Sequence, residues 1–163
     1  MAIAPIETAR LLLRPLTDED LESVFRILGD PVTTAGVSFG LATREQAQQY
    51  LARRRSQEQD LGFSMWAMQS AEANDLIGLC GFSPHDGDEI ELGYVVRASE
   101  WNQGYATEAA SAAVTAALEA GFRIYATIRS TNDASLRVAD KLGLRPDGQI
   151  LDERGTLLVF RRP

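Results

Sequence analysis

The spacing of apolar and polar positions predicts four helices along the chain. Thr17 and Thr43 each precede a stretch with helical periodicity, and a threonine side chain can accept hydrogen bonds from the free amides of a helix start. Gly121 and Gly143 follow two further stretches and suit helix C-termini, because glycine tolerates the left-handed conformation found there. The predicted helices are TDEDLESVFRIL, TREQAQQYLARRRSQ, a long stretch that starts near Gly104, and DASLRVADKLG.

Alternating or continuous apolar runs predict strands between these helices. Three runs follow one another before the long helix and are expected to form an antiparallel meander. The order of elements indicates an α/β (α+β) fold, with a mixed, mostly antiparallel sheet of about seven strands flanked by about four helices. No linker or repeat divides residues 1–163, so a single domain is expected. The predicted strands are TARLLLRPL, FSMWAMQ, DLIGLCGFSP, DEIELGYVVR, FRIYATIR, LRPDGQILD and TLLVFRRP.

Composition and charge narrow the partners that the chain is expected to bind. The 163 residues, 45% of them hydrophobic, suffice for one domain with a sizeable core. Sixteen basic and 23 acidic side chains give a net charge of −7, which argues against a nucleic-acid partner. One histidine and the lone Cys80 argue against a metal site and an internal disulfide, and a reducing cytoplasm is the expected compartment. Neither a secretion signal nor a membrane span is predicted.

Gly104 raises a specific expectation because it stands at the start of the predicted long helix, in WNQGYATEAA. The first amides of a helix lack partners within it and the peptide dipoles add partial positive charge, so this end attracts phosphate. Gly104 and Ala106 would let a phosphate oxygen approach the backbone, and Thr107 adds a hydroxyl donor. The segment matches neither a P-loop nor the three-glycine dinucleotide pattern. Alternatively, Gly104 only relieves crowding and the alanines let the helix lie close to the sheet.

Several motifs, in their order along nearly the whole chain, resemble the GNAT superfamily of N-acetyltransferases. The pyrophosphate loop of that superfamily follows the pattern Gln/Arg-x-x-Gly-x-Gly/Ala. Residues 101–106 match it except at Trp101, and Asn102 replaces a frequent additional glycine. The chain is most similar to the RimJ/RimL-like branch of ribosomal-protein N-terminal acetyltransferases. The resemblance rests on TARLLLRPLTDEDLESVF, IGLCGF, ELGYVV, WNQGYATEAA and STNDASLRVADKLGL.

This resemblance implies acetyl-CoA as the cofactor and a GNAT-like acyl-CoA N-acyltransferase fold, with no metal. The strand containing ELGYVV is expected to diverge from FRIYATIR, so that the pantetheine arm enters the gap and pairs with main-chain groups of Val95 and Val96. Asn132 is expected to hold the pantetheine arm or the acetyl end. The expected cofactor-binding residues are Val95, Val96, Asn102, Gln103, Gly104, Tyr105, Ala106, Thr107 and Asn132.

The strand DEIELGYVVR supplies a candidate general base. Alternation places Glu91 on the face opposite Leu92 and Tyr94. Acetyl transfer needs a neutral amine, and a carboxylate in an apolar cleft can have its pKa raised far enough to accept the amine proton. Glu91 is therefore the leading candidate, directly or through water, and Glu89 is held in reserve. The alternative is an ordinary half-buried strand in which Glu91 is solvated.

The candidate proton donor comes from the resemblance. Many GNAT enzymes have a tyrosine in the helix after the Asn-x-x-Ser/Ala segment, and in this chain the matching position is Ala139. Ser135 then remains as the candidate that protonates or hydrogen-bonds the leaving thiolate, a role assigned to serine in RimL-like members. The alternatives are that Asn132 and Ser135 only cap the helix, or that water returns the proton.

The resemblance implies an acetyl-CoA-dependent N-acetyltransferase that acts by direct transfer in a ternary complex, without a covalent enzyme intermediate. The acceptor is an amine, and the branch favours a protein or peptide N-terminus. The alternatives are a small-molecule amine (aminoglycoside, polyamine or amino-acid-like metabolite), a non-catalytic acyl-CoA-binding sensor suggested by Ala139, and a structural domain without ligand. No nucleic-acid or membrane partner is expected, and the oligomeric state is open, a homodimer included.

Three other features have simpler interpretations. The run Arg53–Arg55 lies near the end of the second predicted helix and is interpreted as a solvated face. Cys80 lies in an apolar strand without the surroundings of an activated nucleophile, so it is expected to serve packing. Three aromatic residues are candidates for the acceptor pocket, although their spacing also suits the core: Phe25, Phe39 and Phe63.

Overall fold

A computed structural model describes residues 2–37 and 39–162, and its helices begin where the sequence predicts. The Thr43 hydroxyl accepts a hydrogen bond from the Gln46 amide over 3.2 Å, which caps the second helix. The first predicted helix opens with a single 3-10 turn over Asp18–Asp20 and becomes α-helical only after it. The helices are α1 (Leu21–Leu28), α2 (Arg44–Leu61), α3 (Tyr105–Glu119) and α4 (Asp133–Lys141). No helix in the described ranges has the length and apolar character needed to cross a membrane.

In the described part of the chain, eight strands form one mixed sheet, one strand more than the sequence predicts. The additional strand, β1, is only two residues long, which is too short for a periodic pattern. The sheet has the order β1-β2-β3-β4-β5-β6-β8-β7, and every neighbouring pair except β5–β6 is antiparallel. The predicted meander is confirmed as β3-β4-β5. The strands are β1 (Ile6–Glu7), β2 (Leu11–Arg14), β3 (Met65–Ser70), β4 (Leu76–Asp86), β5 (Glu89–Val96), β6 (Arg123–Arg129), β7 (Arg145–Asp152) and β8 (Gly155–Arg162).

The parallel strands β5 and β6 separate after a short paired stretch. Their register holds for three pairs, Glu89 with Arg123, Ile90 with Ile124 and Glu91 with Tyr125. Beyond Glu91 the edge of β5 that faces β6 has no strand partner, although β5 continues to Val96. A sheet that splits in this way exposes main-chain donors and acceptors at its centre.

The two faces of the sheet carry separate hydrophobic clusters. On one face, Ile90, Leu92 and Val96 pack with α3 and α4. On the other face, Val95 packs with α1 and α2. The alternation predicted for β5 is thereby confirmed. The α3 contact is close because its inward positions are alanines that are fully buried: Ala109, Ala110, Ala113 and Ala117.

An ion pair fixes the start of α1 to β2. The Arg14 guanidinium donates two hydrogen bonds to the Asp20 carboxylate, over 2.8 and 2.9 Å, and the Thr17 amide donates a third over 2.8 Å. Burial raises the pKa of the Asp20 carboxyl, but the hydrogen bonds from Arg14 and Thr17 outweigh it and hold the pKa below its usual value. Because the pKa is lower in the folded state, this contribution to stability exists above about pH 4 and is lost as the pH falls through the folded-state pKa.

Asp20→Asn is therefore expected to reduce the free energy of unfolding at pH 7 by about 1–3 kcal/mol, the usual range for losing a hydrogen bond to a charged group. Denaturant unfolding at pH 7 and near pH 3 measures it, and the two proteins should converge at the lower pH. Asp18→Asn is the matched control, since Asp18 pairs with Arg55 on the surface and its side chain is 81% exposed. A deficit in Asp20→Asn that is equal at both pH values would contradict the ion-pair explanation.

Candidate active site

Two cavities meet where β5 and β6 separate. The larger one, of about 530 Å³, lies between the end of β5 and the starts of α3 and α4 and is called the α3 cavity here. The smaller one, of about 320 Å³, lies between α2 and the middle of β5 and β6 and is called the α2 cavity. The two cavities share the lining residues Gly36, Val37, Tyr94, Val95, Arg129, Asn132 and Ser135.

The loop before α3 turns its main chain into the α3 cavity. Asn102 has a φ of 61° and Gly104 a φ of 82°, so the chain adopts the left-handed conformation twice within three residues. Alternation of this kind turns successive amides toward one side and forms a concave anion site. Among the described residues, the first amide after Trp101 with a main-chain partner is that of Glu108, which donates to the Gly104 carbonyl over 3.0 Å. The amides between them are free for a ligand.

Arg10, at the edge of β2, holds this loop in place. Its guanidinium donates to the Gln103 carbonyl over 2.9 Å and lies 4.4 Å from the centre of the Tyr105 ring. It also forms an ion pair with Glu108 at 2.7 Å. Gln103 is therefore part of the support: its side chain donates to Glu100 over 3.0 Å and is not among the residues that line the α3 cavity.

Removing this support should weaken the binding of an anionic ligand at the loop. Arg10→Ala is expected to raise the apparent KM for acetyl-CoA, the cofactor that the sequence resemblance implies, about three- to tenfold and to change kcat less, because the amides would lose their fixed orientation. Steady-state kinetics with acetyl-CoA as the varied substrate measure this. Arg44→Ala removes an exposed arginine that pairs with Glu22 elsewhere and serves as the control. Equal KM values for the two variants would contradict a positioning role for Arg10.

The unpaired edge of β5 presents Tyr94 and Val96, rather than Val95, to the gap. The Arg97 amide donates to the Ile77 carbonyl of the β4 side, and main-chain groups of a strand alternate in direction, so Val95 also faces β4. A side chain at Gly78 of β4 would lie only 2.3 Å from the Val95 carbonyl oxygen, which confirms that direction. On the other side, the Val96 carbonyl accepts a hydrogen bond of 2.7 Å from the Trp101 indole. Val95 lines both cavities without offering its carbonyl to them.

Glu91 lies at the point of divergence and lines the α2 cavity. The Thr127 hydroxyl of β6 donates to its carboxylate over 2.9 Å, so the carboxylate spans the gap between the two strands. Glu89, the reserve candidate, is buried and forms an ion pair with Arg161 at 2.9 Å. Of the two carboxylates, Glu91 alone lines either cavity.

The start of α4 brings Asn132 and Ser135 to both cavities. The Asn132 side chain accepts a hydrogen bond from the Ser135 amide over 3.1 Å, so the capping role considered from the sequence is confirmed. The same side chain donates to the Gly36 carbonyl over 3.3 Å and thereby ties the loop after α1 across the cavities.

Sequence reasoning missed Tyr94, a buried phenol beside Ser135. Its hydroxyl is buried and has no hydrogen-bond partner among the described residues, and Tyr94 is one of the residues that line both cavities. Burial raises the pKa of Tyr94 to about 12, and the neighbouring Ser135 side chain opposes that rise. The phenol therefore stays protonated and remains a donor near neutral pH. Ala139, where many family members have a tyrosine, is fully buried and lines the α2 cavity. Alternation along β5 already placed Tyr94 on the same face as Leu92, which the structure shows packed against α3 and α4, and that signal could have identified it.

Cys80 has no role in this site. It is fully buried in β4, and burial raises the pKa of its thiol to about 12. A thiol of that pKa is protonated and unreactive at neutral pH, so the interpretation of Cys80 as a packing residue is confirmed. Within the described ranges, no group of three or more His, Cys, Asp or Glu side chains is arranged to hold a metal ion.

Comparison with known proteins identifies the class. Residues 10–145 match the acetyltransferase (GNAT) domain. A GNAT-family acetyltransferase structure from Bacillus anthracis superposes with a TM-score of 0.84 at 25% identity, covering 96% of each chain. RimL, a ribosomal L7/L12 α-N-protein acetyltransferase solved in complex with coenzyme A, superposes with a TM-score of 0.86 at 15% identity, covering 99% of this chain and 97% of RimL. The uncharacterized N-acetyltransferase YoaA of Bacillus subtilis (strain 168) is 29% identical over 161 residues, 93% of this chain and 90% of YoaA.

The fold and the domain match define an acetyltransferase. The chain belongs to the GNAT family, whose members use acetyl-CoA to acetylate amines. The family resemblance and the mixed, mostly antiparallel fold expected from the sequence are both confirmed.

Proposed function

We propose that this acetyltransferase moves an acetyl group from acetyl-CoA directly to the α-amine of a protein or peptide N-terminus. The observation that carries the proposal is the meeting of the two cavities between Glu91 and Ser135, at the unpaired edge of β5. One cavity can then hold the acetyl donor and the other the amine, with a carboxylate and a hydroxyl at the junction. We place the whole of residues 1–163 in this one catalytic domain and the protein in the cytoplasm, where a free thiol such as Cys80 persists.

The α3 cavity fits the shape and charge of acetyl-CoA. Free loop amides at the start of α3 suit the diphosphate, and Arg137 and Lys141 of α4 add positive charge to the same cavity in a protein of net charge −7. Main-chain groups of Tyr94 and the Val96 amide face the gap and can pair with an extended amide chain, as an added strand would, while the Val96 carbonyl is held by the Trp101 indole. When bound, acetyl-CoA supplies the acetyl group as a thioester. The residues proposed to bind it are Tyr94 through its main chain, Val95 through its side chain, Val96, Asn102, Gln103 through its main chain, Gly104, Tyr105, Ala106, Thr107 and Asn132.

Glu91 is proposed as the general base. Its carboxylate lines the α2 cavity, where an amine would lie, and Thr127 fixes its orientation through the 2.9 Å hydrogen bond. The attacking nitrogen must be neutral and must lose a proton as the new bond forms, so a carboxylate held at the junction accepts that proton directly or through one water.

Ser135 is proposed to return a proton to the sulfur leaving group, supported by Tyr94. Both side chains line both cavities, and the Tyr94 hydroxyl is buried without a partner, so it can donate toward Ser135 or toward the reacting carbonyl oxygen. A donor aimed at developing negative charge in a water-poor site lowers the barrier more than it would in water. Tyr94 of β5 and Ala139 of α4 line the same α2 cavity, so a phenol is present in that cavity although position 139 does not supply one.

The choice of an N-terminal α-amine has both chemical and comparative support. An α-amine has a pKa near 8 and a lysine amine has a pKa near 10.4. A larger fraction of the α-amine is therefore already neutral near neutral pH, and it needs less help from a carboxylate base. The RimL structure of similar fold belongs to an enzyme described as acting on the α-amine of ribosomal L7/L12. A small-molecule amine is the competing acceptor class, and the 320 Å³ of the α2 cavity would admit one.

Mass spectrometry of acetylated products tests the proposal. Purified protein and acetyl-CoA are incubated with a panel of short peptides, their N-terminally blocked counterparts, free amino acids, polyamines and aminoglycosides. Acetylation of free but not blocked peptides is expected. Transfer to small molecules alone would overturn the acceptor assignment, and binding of acetyl-CoA without transfer to any amine would indicate a sensor instead.

A further inference from the structure

The far wall of the α2 cavity contains an arginine, Arg54, that has no carboxylate partner among the residues the structure describes. Arg54 of α2 is half-buried, and its guanidinium donates only to neutral acceptors, Gln57 over 2.9 Å and Ser83 over 3.1 Å. Its Nε is buried without an acceptor in the described ranges 2–37 and 39–162. The neighbouring Arg55, in contrast, pairs with Asp18. The interpretation of the arginine run as a solvated face therefore does not apply to Arg54.

Tyr50 places a second unsatisfied donor beside this arginine. Its side chain is 1% exposed, it lines the α2 cavity, and its hydroxyl has no hydrogen-bond partner among the described residues. The Arg54 guanidinium lies 5.1 Å from the centre of the Tyr50 ring. Burial raises the pKa of Tyr50 and the positive charge of Arg54 opposes that rise. The ring of Phe39 stacks on Tyr50, with centroids 6.0 Å apart, and both residues line the α2 cavity.

Buried donors without acceptors are costly, and the cost disappears when a matching acceptor binds. A desolvated hydroxyl and a desolvated guanidinium N–H each lose free energy when they make no hydrogen bond. A carboxylate is the complementary group, since it only accepts hydrogen bonds, carries the opposite charge and matches the planar guanidinium. The ligand that suits this wall is therefore one with a carboxylate.

The position of this wall relative to Glu91 sets the distance between carboxylate and amine in the ligand. Ser83 of β4 lies directly opposite Glu91 of β5 in the sheet register, and such neighbours have Cβ atoms about 5 Å apart. The guanidinium of Arg54 is hydrogen-bonded to that same Ser83. An amine placed at Glu91 can therefore reach Arg54 with a carboxylate that is only a few bonds away in the same molecule.

We propose that the acceptor carries a carboxylate within a few bonds of its reacting amine, and that Arg54 and Tyr50 bind this carboxylate. The inference rests on the proposed acetyl transfer to an amine in the α2 cavity and specifies its substrate class. The carboxylate has two sources, the acidic side chain of an N-terminal Asp or Glu in a peptide, or the carboxylate of a free amino acid.

Paired acceptors that differ only in this group test the inference. One pair is a peptide that starts with Glu and the same peptide starting with Gln, and the other pair is a free amino acid and its amide, each compared at its own amine pKa. Wild-type protein is expected to use the carboxylate member of one pair with a kcat/KM at least about tenfold higher, the size of one lost charge-assisted contact. The pair that shows the preference identifies the source of the carboxylate.

Substitutions of Arg54 and Tyr50 test whether these two residues cause the preference for the acceptor with a carboxylate. Arg54→Gln should bring the two members of the pair to within about twofold of each other, and Tyr50→Phe, which keeps the ring, should reduce the preference by a smaller factor. Arg53→Gln is the matched control, because Arg53 lies on the same helix 5.6 Å from the same ring but does not line the cavity, and it should keep the full preference.

Two results would overturn the inference while leaving the proposed function intact: equal kcat/KM for acid and amide in the wild type, or a preference that persists in Arg54→Gln. Absence of transfer to every acceptor would overturn both.

Discussion

Glu91→Gln is expected to lower kcat/KM for acetyl transfer by about 100-fold or more and to leave acetyl-CoA affinity unchanged. A glutamine keeps the size of the side chain and can still pair with Thr127, but it cannot accept the amine proton, and general-base catalysis is typically worth about 10²–10⁴-fold. Initial rates with a peptide acceptor measure the loss, and calorimetry with acetyl-CoA measures the affinity. The affinity should hold because Glu91 lines the α2 cavity and is not among the residues that line the α3 cavity.

The pH dependence separates a missing base from a disturbed site. In the wild type, kcat/KM should rise with pH as the amine loses its proton, and where the amine is already neutral Glu91→Gln should remain slower, because the attacking nitrogen still has to lose a proton as the new bond forms. In Glu91→Gln, the remaining activity should follow the ionisation of the amine alone. Ser135→Ala is the comparison variant, since it should lower kcat while Glu91 is still present to accept the amine proton. Unchanged rates of Glu91→Gln at limiting pH would show that Glu91 is not the base. Full turnover of Ser135→Ala would show that water, and not Ser135, returns the proton to the sulfur.

Local sequence signals predicted most of the fold because they act within a few residues. The threonine at the start of α2 and the glycines after α3 and α4 work through neighbouring amides, and the structure places these ends as expected. Strand ends were less predictable. The predicted run DLIGLCGFSP ends at Pro84, but the strand continues to Asp86 with a shift in register beside the proline, so a bulge absorbs the missing amide.

In the candidate site, too, the residues placed by local patterns were predicted and those placed by long-range contacts were not. The predicted residues Glu91, Asn102, Gly104 and Ser135 all line one or both cavities, because alternation and helix starts fix their directions locally. Arg10 supports the loop through contacts with residues more than 90 positions away, and no pattern within either segment reports such contacts.

The arrangement of residues around Arg54 could not be predicted from the sequence either. The sequence gives three consecutive arginines on a helix, and which of them faces the cavity depends on how α2 lies on the sheet. Only the packed structure shows that Tyr50 and Ser83 surround the middle one.

Gly104→Ala is expected to raise the Kd for acetyl-CoA about tenfold or more. Gly104 has a φ of 82°, and forcing a residue with a Cβ into that left-handed conformation costs about 1–2 kcal/mol. The chain can relieve this strain by rotating the loop, but rotation turns the free amides away from the α3 cavity. The added methyl group would also lie 3.5 Å from the Arg10 guanidinium, which holds the loop from outside. Calorimetric titration with acetyl-CoA measures the loss.

Gly121→Ala is the matched control, because it places the same strain at the opposite end of the same helix. Gly121 has a φ of 89°, and a Cβ there meets no atom within 4 Å. Both variants should therefore unfold at a similarly lowered denaturant concentration, since each holds one alanine in the unfavourable left-handed conformation. Only the Gly104 variant should lose affinity. If the two variants bind acetyl-CoA equally well, the amides before α3 do not hold the diphosphate, and Gly104 serves only the geometry of the turn.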